Sequence, residues 1–396
     1  MNILTFSTLF PNAEKPGHGI FVENRLRHLV ASGQVNARVV APVPWFPSAH
    51  PRFGAWGRMA KVPRNEVRHG LQVAHPRYIT LPKVGMNLAP ALLAQAARPC
   101  VARLLDQGVD IDLIDAHYFY PDGVAAAMLA RHFNKPLAIT ARGSDISLLP
   151  RYRLPRRMIQ WATRQAGAII TVCDALRDEV IALGVDPARV TTLRNGVDLE
   201  LFRPIARTPN PEFSLISVGH LVPVKAQELI VAALPLLPGV HLTLIGDGPN
   251  RAMLEQLTER LNLRARVRFL GALPQAALRE HYARADAMVL ASSREGWANV
   301  LLESMACGTP VVASRVYGTP EVVAAPEAGI LMNQRSAQGV ADAVNALRAN
   351  YPDRGATRRY AERFSWDDTT AGQLRIFGDL LQRRAAPAAA SGLRKH

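Results

Sequence analysis

At 396 residues the chain is longer than one hydrophobic core supports, so two domains are expected. Hydrophobic residues at 48% and charged residues at 20% exclude a disordered or fibrous chain. The net charge of +15 calls for an anionic partner, but no helix-turn-helix, zinc-finger or aromatic stacking signature accompanies it, which argues against nucleic acid.

In chain order, short apolar runs at 2–6, 37–41, 113–116, 137–140 and 168–172 read as strands, with helices over 21–32, 87–106 and 124–133 between them. After Arg203-Pro204 the rhythm restarts, with strands at 213–218, 241–245, 267–270, 287–291 and 310–313 and helices at 227–236, 250–261, 275–283 and 299–307. Such βαβ alternation predicts an α/β chain of two Rossmann-like halves with parallel sheets, 1–205 and 206–365. A long helix over 366–384 follows, and the Ala-rich end 385–396 reads as disordered.

Cys100, Cys173 and Cys307 fit no zinc spacing and cannot all pair, so a reduced compartment is expected. The opening is too short and too uncharged for a signal peptide, and no apolar run approaches the ~18 residues that cross a bilayer. These features predict a cytoplasmic protein. Residues 146–173 contain five arginines and no acid, and Leu154, Met158, Ile159, Trp161 and Ala162 recur at helical spacing. Such a segment can lie on an anionic membrane surface, or simply be a solvated helix.

Ligands of open α/β sheets bind at the carboxyl ends of the strands, so the polar residues there are the candidates. In the first half these are Gly17 and Gly19 in "FPNAEKPGHG", His117 in "IDAHYFYPDG", and Arg142 and Asp145 in "ITARGSDI". In the second half "SVGHLVPVKAQ" supplies Gly219, His220 and Lys225, "LIGDGP" supplies Gly246, and "RFLGAL" supplies Leu270. The stretch "SSREGWANVLLESMACGTPVVAS" places Glu295 in a loop, Asn299 where it can cap a helix, and Glu303 within that helix's apolar run. A buried carboxylate is costly without a partner, and its two oxygens suit the vicinal hydroxyls of a ribose. No Asp-X-Asp metal site stands near a strand end, so no metal is expected.

The order of these blocks, together with "TVCDALRDEV" and "LRNGVDLELF", resembles the family 4 retaining glycosyltransferases over nearly the full length. The resemblance implies the GT-B fold: two Rossmann-like domains facing a central cleft, with a C-terminal helix returning to the first. It implies a hexosyltransferase that takes its sugar from a nucleotide-diphosphate sugar, a UDP-sugar being favoured, with no cofactor. Glu303 then holds the donor ribose, Glu295 the transferred sugar, and Lys225 the leaving diphosphate. His117 matches the histidine near the reacting face, and Gly17 and Gly19 match the loop over donor and acceptor. Gly219, His220 and the backbone of Gly296, Asn299 and Val300 surround phosphate and sugar, with the base near Gly246 and Leu270. Two residues depart from the pattern: His220 replaces the usual arginine, with Arg251 a possible substitute cation, and Arg142 replaces a frequent histidine. Arg142 and Asp145 are expected on the acceptor side.

The basic first half, with "TFSTLFPN" and "GIFVENR" similar to teichuronic-acid and exopolysaccharide transferases, implies a glycan or polyprenyl-diphosphate-linked acceptor in surface polysaccharide assembly, at the inner face of the membrane. A GT-B nucleotide-sugar epimerase and a non-catalytic glycan-binding relative remain as alternatives.

Overall fold

The computed structural model describes residues 1–80, 85–208 and 210–385. The alanine-rich end expected to be disordered lies outside these residues, save for Ala385 at the end of the last helix.

The strands are, in chain order, β1 (Asn2–Phe6), β2 (Asn36–Val40), β3 (Val43–Pro44), β4 (Asn65–Arg68), β5 (Leu71–Ala74), β6 (Arg77–Tyr78), β7 (Leu113–His117), β8 (Leu137–Ala141), β9 (Ala168–Thr171) and β10 (Val190–Thr192). The series continues with β11 (Phe213–Val218), β12 (Val240–Ile245), β13 (Val267–Gly271), β14 (Ala287–Leu290), β15 (Val311–Ser314) and β16 (Gly329–Met332). The first unit, Met1–Leu193 together with the chain from Asp367 onward, carries an eight-stranded sheet of order β10-β9-β8-β7-β1-β2-β5-β4. The second, Arg194–Trp366, carries a six-stranded sheet of order β13-β12-β11-β14-β15-β16. Contacts thus divide the chain at Leu193/Arg194, short of the expected 205.

Every pairing within these two sheets is parallel except β4 with β5. Parallel strands are covered on both faces, which is why β7 and β8 are buried at every position and stand out as apolar runs. The antiparallel exception turns at His69-Gly70, both with positive φ, as a tight type I′ hairpin requires.

In the first unit β1, β2 and β5 pack under a core that includes Phe377 and Leu380 of the last helix, Trp366–Ala385. The approach is close: a Cβ on Gly372 would stand 2.5 Å from Leu193, and one on Gly167 would stand 2.2 Å from Leu380. Leu374, Ile376 and Leu381 pack against the same core, whereas Trp366, the helix's first residue, belongs to the second unit. In the second unit Leu215, Leu242, Leu244, Val289 and Val312 of the sheet meet Ile230, Val231 and Val344 of flanking helices. Among the described residues no helix is long and apolar enough to cross a membrane.

Candidate active site

In the second unit the strand-end loops are fitted backbone to backbone. A Cβ on Gly246 would fall 1.9 Å from the Gly219 carbonyl, and one on Gly248 would fall 2.4 Å from that of Leu221, so both glycines are required by the chain itself. Gly219 differs, because a Cβ there would meet only Lys225 Cε, at 3.9 Å. The surface over Gly219 is therefore open beside an ammonium.

Lys225 closes the 3-10 turn Pro223–Lys225 after β11, ahead of the helix Gln227–Ala233. Its Nζ donates to Glu295 Oε1 at 2.6 Å, joining two residues that the sequence places on different strand ends. Glu295 and Gly296 lie in the loop after β14, anchored by buried Trp297, whose Nε1 donates to the Asn195 carbonyl at 3.1 Å. His220 is exposed, with Nδ1 3.4 Å from the Asp247 carbonyl. Arg251, the candidate substitute cation, donates to Glu255 at 2.9 Å, and its guanidinium stands over the Phe269 ring and beside Gly271. Leu270 is half-buried at the end of β13.

Asn299 does not cap its helix. It is the first residue of Asn299–Ala306, the N-cap position is Ala298 without a side-chain bond, and Asn299 Oδ1 instead accepts from Asn195 at 3.3 Å. The first turn, including the half-buried Val300, is left without a side-chain cap of its own.

Glu303 is buried on that helix, and protein groups meet both its oxygens. Gln275 Nε2 donates to Oε1 and the Tyr282 hydroxyl donates to Oε2, each at 3.0 Å. Burial pushes the Glu303 carboxyl up, which the two donors oppose; burial and the neighbouring charge of Glu303 push the Tyr282 hydroxyl well above its usual value, so it stays a donor. The partner of Glu303 is thus partly the protein itself. Each oxygen keeps a second lone pair for a ligand hydroxyl. Gln275 and Tyr282 were missed in the sequence, although their spacing, with buried Leu278 between them, puts two polar groups on one inward helix face.

The first-unit candidates converge at the ends of β7 and β8. His117 is buried, with Nε2 3.1 Å from Asp115 Oδ2 and Nδ1 2.6 Å from Arg142 Nη2. Arginine only donates, so Nδ1 accepts and Nε2 carries the proton toward Asp115. Burial lowers the imidazole to about 4, opposed by Asp115 and helped by Arg142, so the ring is neutral. Both nitrogens are thus engaged within the first unit. Asp115 also accepts from Gln373 of the last helix at 3.2 Å, and Gln373 accepts from buried Arg25 at 3.0 Å.

Arg142 and Asp145 are likewise interior residues. Asp145 is fully buried and accepts from the backbone N–H groups of Phe119, Gly143 and Arg142, at 2.7, 2.7 and 3.1 Å. These bonds fix the two strand-end loops to one another. Gly19 starts the helix Ile20–Ala31 at φ 60°, and a Cβ there would stand 1.9 Å from the Leu9 carbonyl; around Gly17 a Cβ would meet nothing within 4 Å. Tyr118, also missed, follows His117 with φ 82°, an unfavourable backbone for a non-glycine residue.

The arginine-rich segment is a helix over Arg153–Gln165, but Ile159 and Ala162 pack inward and Met158 and Trp161 are half-buried. Tyr152 and Leu154 remain exposed among the arginines, so the expected lipid-facing stripe is largely spent on the protein's own core. Among the described residues no group of three or more His, Cys, Asp or Glu is placed to hold a metal ion.

The family model described as Glycosyltransferase Family 4 matches residues 17–201, and that described as Glycosyl transferases group 1 matches residues 199–364. The chain belongs to the GT-B glycosyltransferases. Among relatives of this glycosyltransferase, a Bacillus subtilis chain assigned to teichuronic acid biosynthesis as glycosyltransferase TuaC is 27% identical over 358 residues, 87% of this chain and 88% of that one. A D-inositol 3-phosphate glycosyltransferase of Mycobacterium tuberculosis is 34% identical over 232 residues, 53% of this chain and 48% of its own length. Sucrose-phosphate synthase from Thermosynechococcus elongatus superposes with a TM-score of 0.79 at 21% identity, covering 96% of this glycosyltransferase and 99% of that chain. Anabaena HepE, solved in complex with UDP, superposes at 0.70 with 20% identity over 96% and 100%.

Proposed function

We propose that the protein is a retaining hexosyltransferase of family 4. It moves a sugar from a nucleotide-diphosphate sugar, UDP-linked by preference, to a glycan or polyprenyl-diphosphate-linked acceptor in surface polysaccharide assembly. The observation that carries this reading is the second unit's strand-end cluster, where Lys225 and Glu295 pair beside the open backbone of Gly219 and Glu303 stands ready oriented. Lys225 opposes the charge that grows on the diphosphate, Glu295 takes sugar hydroxyls, and Glu303 takes the ribose diol with its remaining lone pairs. The bond from anomeric carbon to phosphate oxygen breaks, its electron pair passing to the diphosphate. The acceptor oxygen bonds to the same face, and its proton goes to a diphosphate oxygen. Such a step needs no protein nucleophile, no proton from His117 and no metal.

HepE has been solved with UDP-glucose as well as UDP, which supports a UDP-sugar donor. The assignment of TuaC to teichuronic acid biosynthesis supports a surface-polymer role. An anionic membrane contact at the cytoplasmic face is supported by the first unit, where Glu66 is the single acid over 24–105 and Trp45, Trp56, Ile79, Met86 and Leu88 are exposed. Co-sedimentation with phosphatidylglycerol vesicles should therefore fall for Trp45→Ser/Trp56→Ser; unchanged binding would remove this surface from the account.

The donor reading is tested by thermal shift with UDP-, ADP- and GDP-sugars. A ligand at a hundred times its Kd adds about 2.7 kcal/mol to the folded state, so at least one class should raise the Tm clearly, and none doing so contradicts the reading. Retention is tested by the anomeric configuration of the transferred sugar in the product.

A further inference from the structure

Lys225 and Glu295 come from loops after different strands, β11 and β14, yet their pairing is built into the backbone. The N–H of Ser293, two residues before Glu295, donates to the carbonyl of Val224, one residue before Lys225, at 2.8 Å, and the Ser293 hydroxyl reaches the same carbonyl at 3.3 Å. The 2.6 Å ion pair therefore sits on two loops stitched together beside it. It is also partly shielded, the lysine side chain keeping 23% of its exposure and the glutamate 10%.

On the donor reading above, one partner of this pair meets the diphosphate and the other meets the sugar. A diphosphate at Lys225 draws the ammonium away from Glu295, and it brings negative charge toward a carboxylate that water reaches poorly. That carboxylate then needs new donors, since an uncompensated charge at such a site is expensive. The hydroxyls of the sugar supply them. A nucleoside diphosphate without its sugar takes the lysine and supplies nothing to the glutamate.

We propose that the Lys225–Glu295 pair makes Glu295 a discriminator between the intact donor and the spent nucleotide. The pair yields readily only to a ligand that satisfies both ends, so the nucleotide sugar is favoured and the nucleoside diphosphate is let go after transfer. The proposal rests on the donor reading and adds to it a consequence of opposite sign to ordinary loss of a contact: removing the Glu295 charge strengthens binding of the product.

Calorimetry on the whole protein with UDP and UDP-glucose, and with ADP and GDP in parallel, tests this. For Glu295→Gln the nucleoside diphosphate should bind about tenfold more tightly, as expected when one hydrogen-bonded charge no longer competes for the lysine, while the nucleotide sugar binds no better than to wild type. In a Lys225→Met background the gain from Glu295→Gln should shrink, because there is no ammonium to release. Glu295→Asp, which shortens the reach to Lys225, should give the same sign and serves if Glu295→Gln folds poorly. A nucleoside diphosphate that binds wild type and gains nothing from either Glu295 variant overturns the discriminator. Wild type that binds none of the four ligands overturns the donor reading itself.

Discussion

Two glycines in one loop have different reasons to be there. Gly19 holds a left-handed backbone against the Leu9 carbonyl, so Gly19→Ala should destabilise the fold by about 1–2 kcal/mol or more, read as a lower Tm. Gly17 meets nothing, and Gly17→Ala should leave the Tm unchanged, so that any loss of donor affinity in that variant belongs to the ligand; equal melting of both variants would contradict the assignment. The sequence shows two glycines before a helix but not which backbone is left-handed, so this distinction was not legible. Glu303 was legible as a buried acid, whereas its protein partners lie more than twenty residues upstream on another helix, beyond any local pattern.

The buried groups of the first unit also set a pH dependence. The unfolded imidazole of His117 takes a proton near 6.5 and the folded one only near 4. Between these values the unfolded state binds more protons, so this contribution is lost as pH falls, by at most about 1.4 kcal/mol per pH unit. Asp122 acts in the opposite direction. Burial outweighs its bonds from Ser7 and Thr8 and holds its carboxyl up at about 7, so its contribution is lost as pH rises from about 4 to 7. The two slopes offset each other. Asp122→Asn, which mimics the protonated acid, should leave the His117 slope exposed and steepen the fall in stability on acidification; an unaltered pH profile from denaturant titrations would contradict these assignments.

At the scale of elements, the strands that carry the site were legible because parallel central strands are buried on both faces and read as unbroken apolar runs, as in "LIDAH" and "LAITA". The edge was not. β4 alternates half-buried with exposed residues, and its two-residue turn uses a histidine at positive φ that sequence preference does not flag. The last helix was legible from its length and apolar spacing, and the structure assigns it to the first unit's core. Phe377 is fully buried there, so Phe377→Ala should cost about 3–5 kcal/mol, and removal of the chain after Ser365 should cost more. The same helix presents Gln373 to Asp115, so its loss would also disturb the His117 network; a truncated chain of wild-type Tm would contradict this packing.

At the scale of the whole molecule, composition and length indicated two domains and βαβ rhythm indicated their class, while the site's chemistry emerged only once strand ends were assembled in space. Lys225, Glu295 and Glu303 span 225–303 in the sequence and occupy the carboxyl ends of one six-stranded sheet or the helix that follows. The central claim is that this sheet end holds the nucleotide of a sugar donor. Calorimetric titration of wild type and Glu303→Gln with the nucleoside diphosphate selected by thermal shift tests it most directly. Hydrogen bonds to a charged group contribute roughly 1.5–3 kcal/mol, so the account predicts an affinity about ten- to a hundredfold lower in Glu303→Gln. Equal affinities in the two proteins would contradict it.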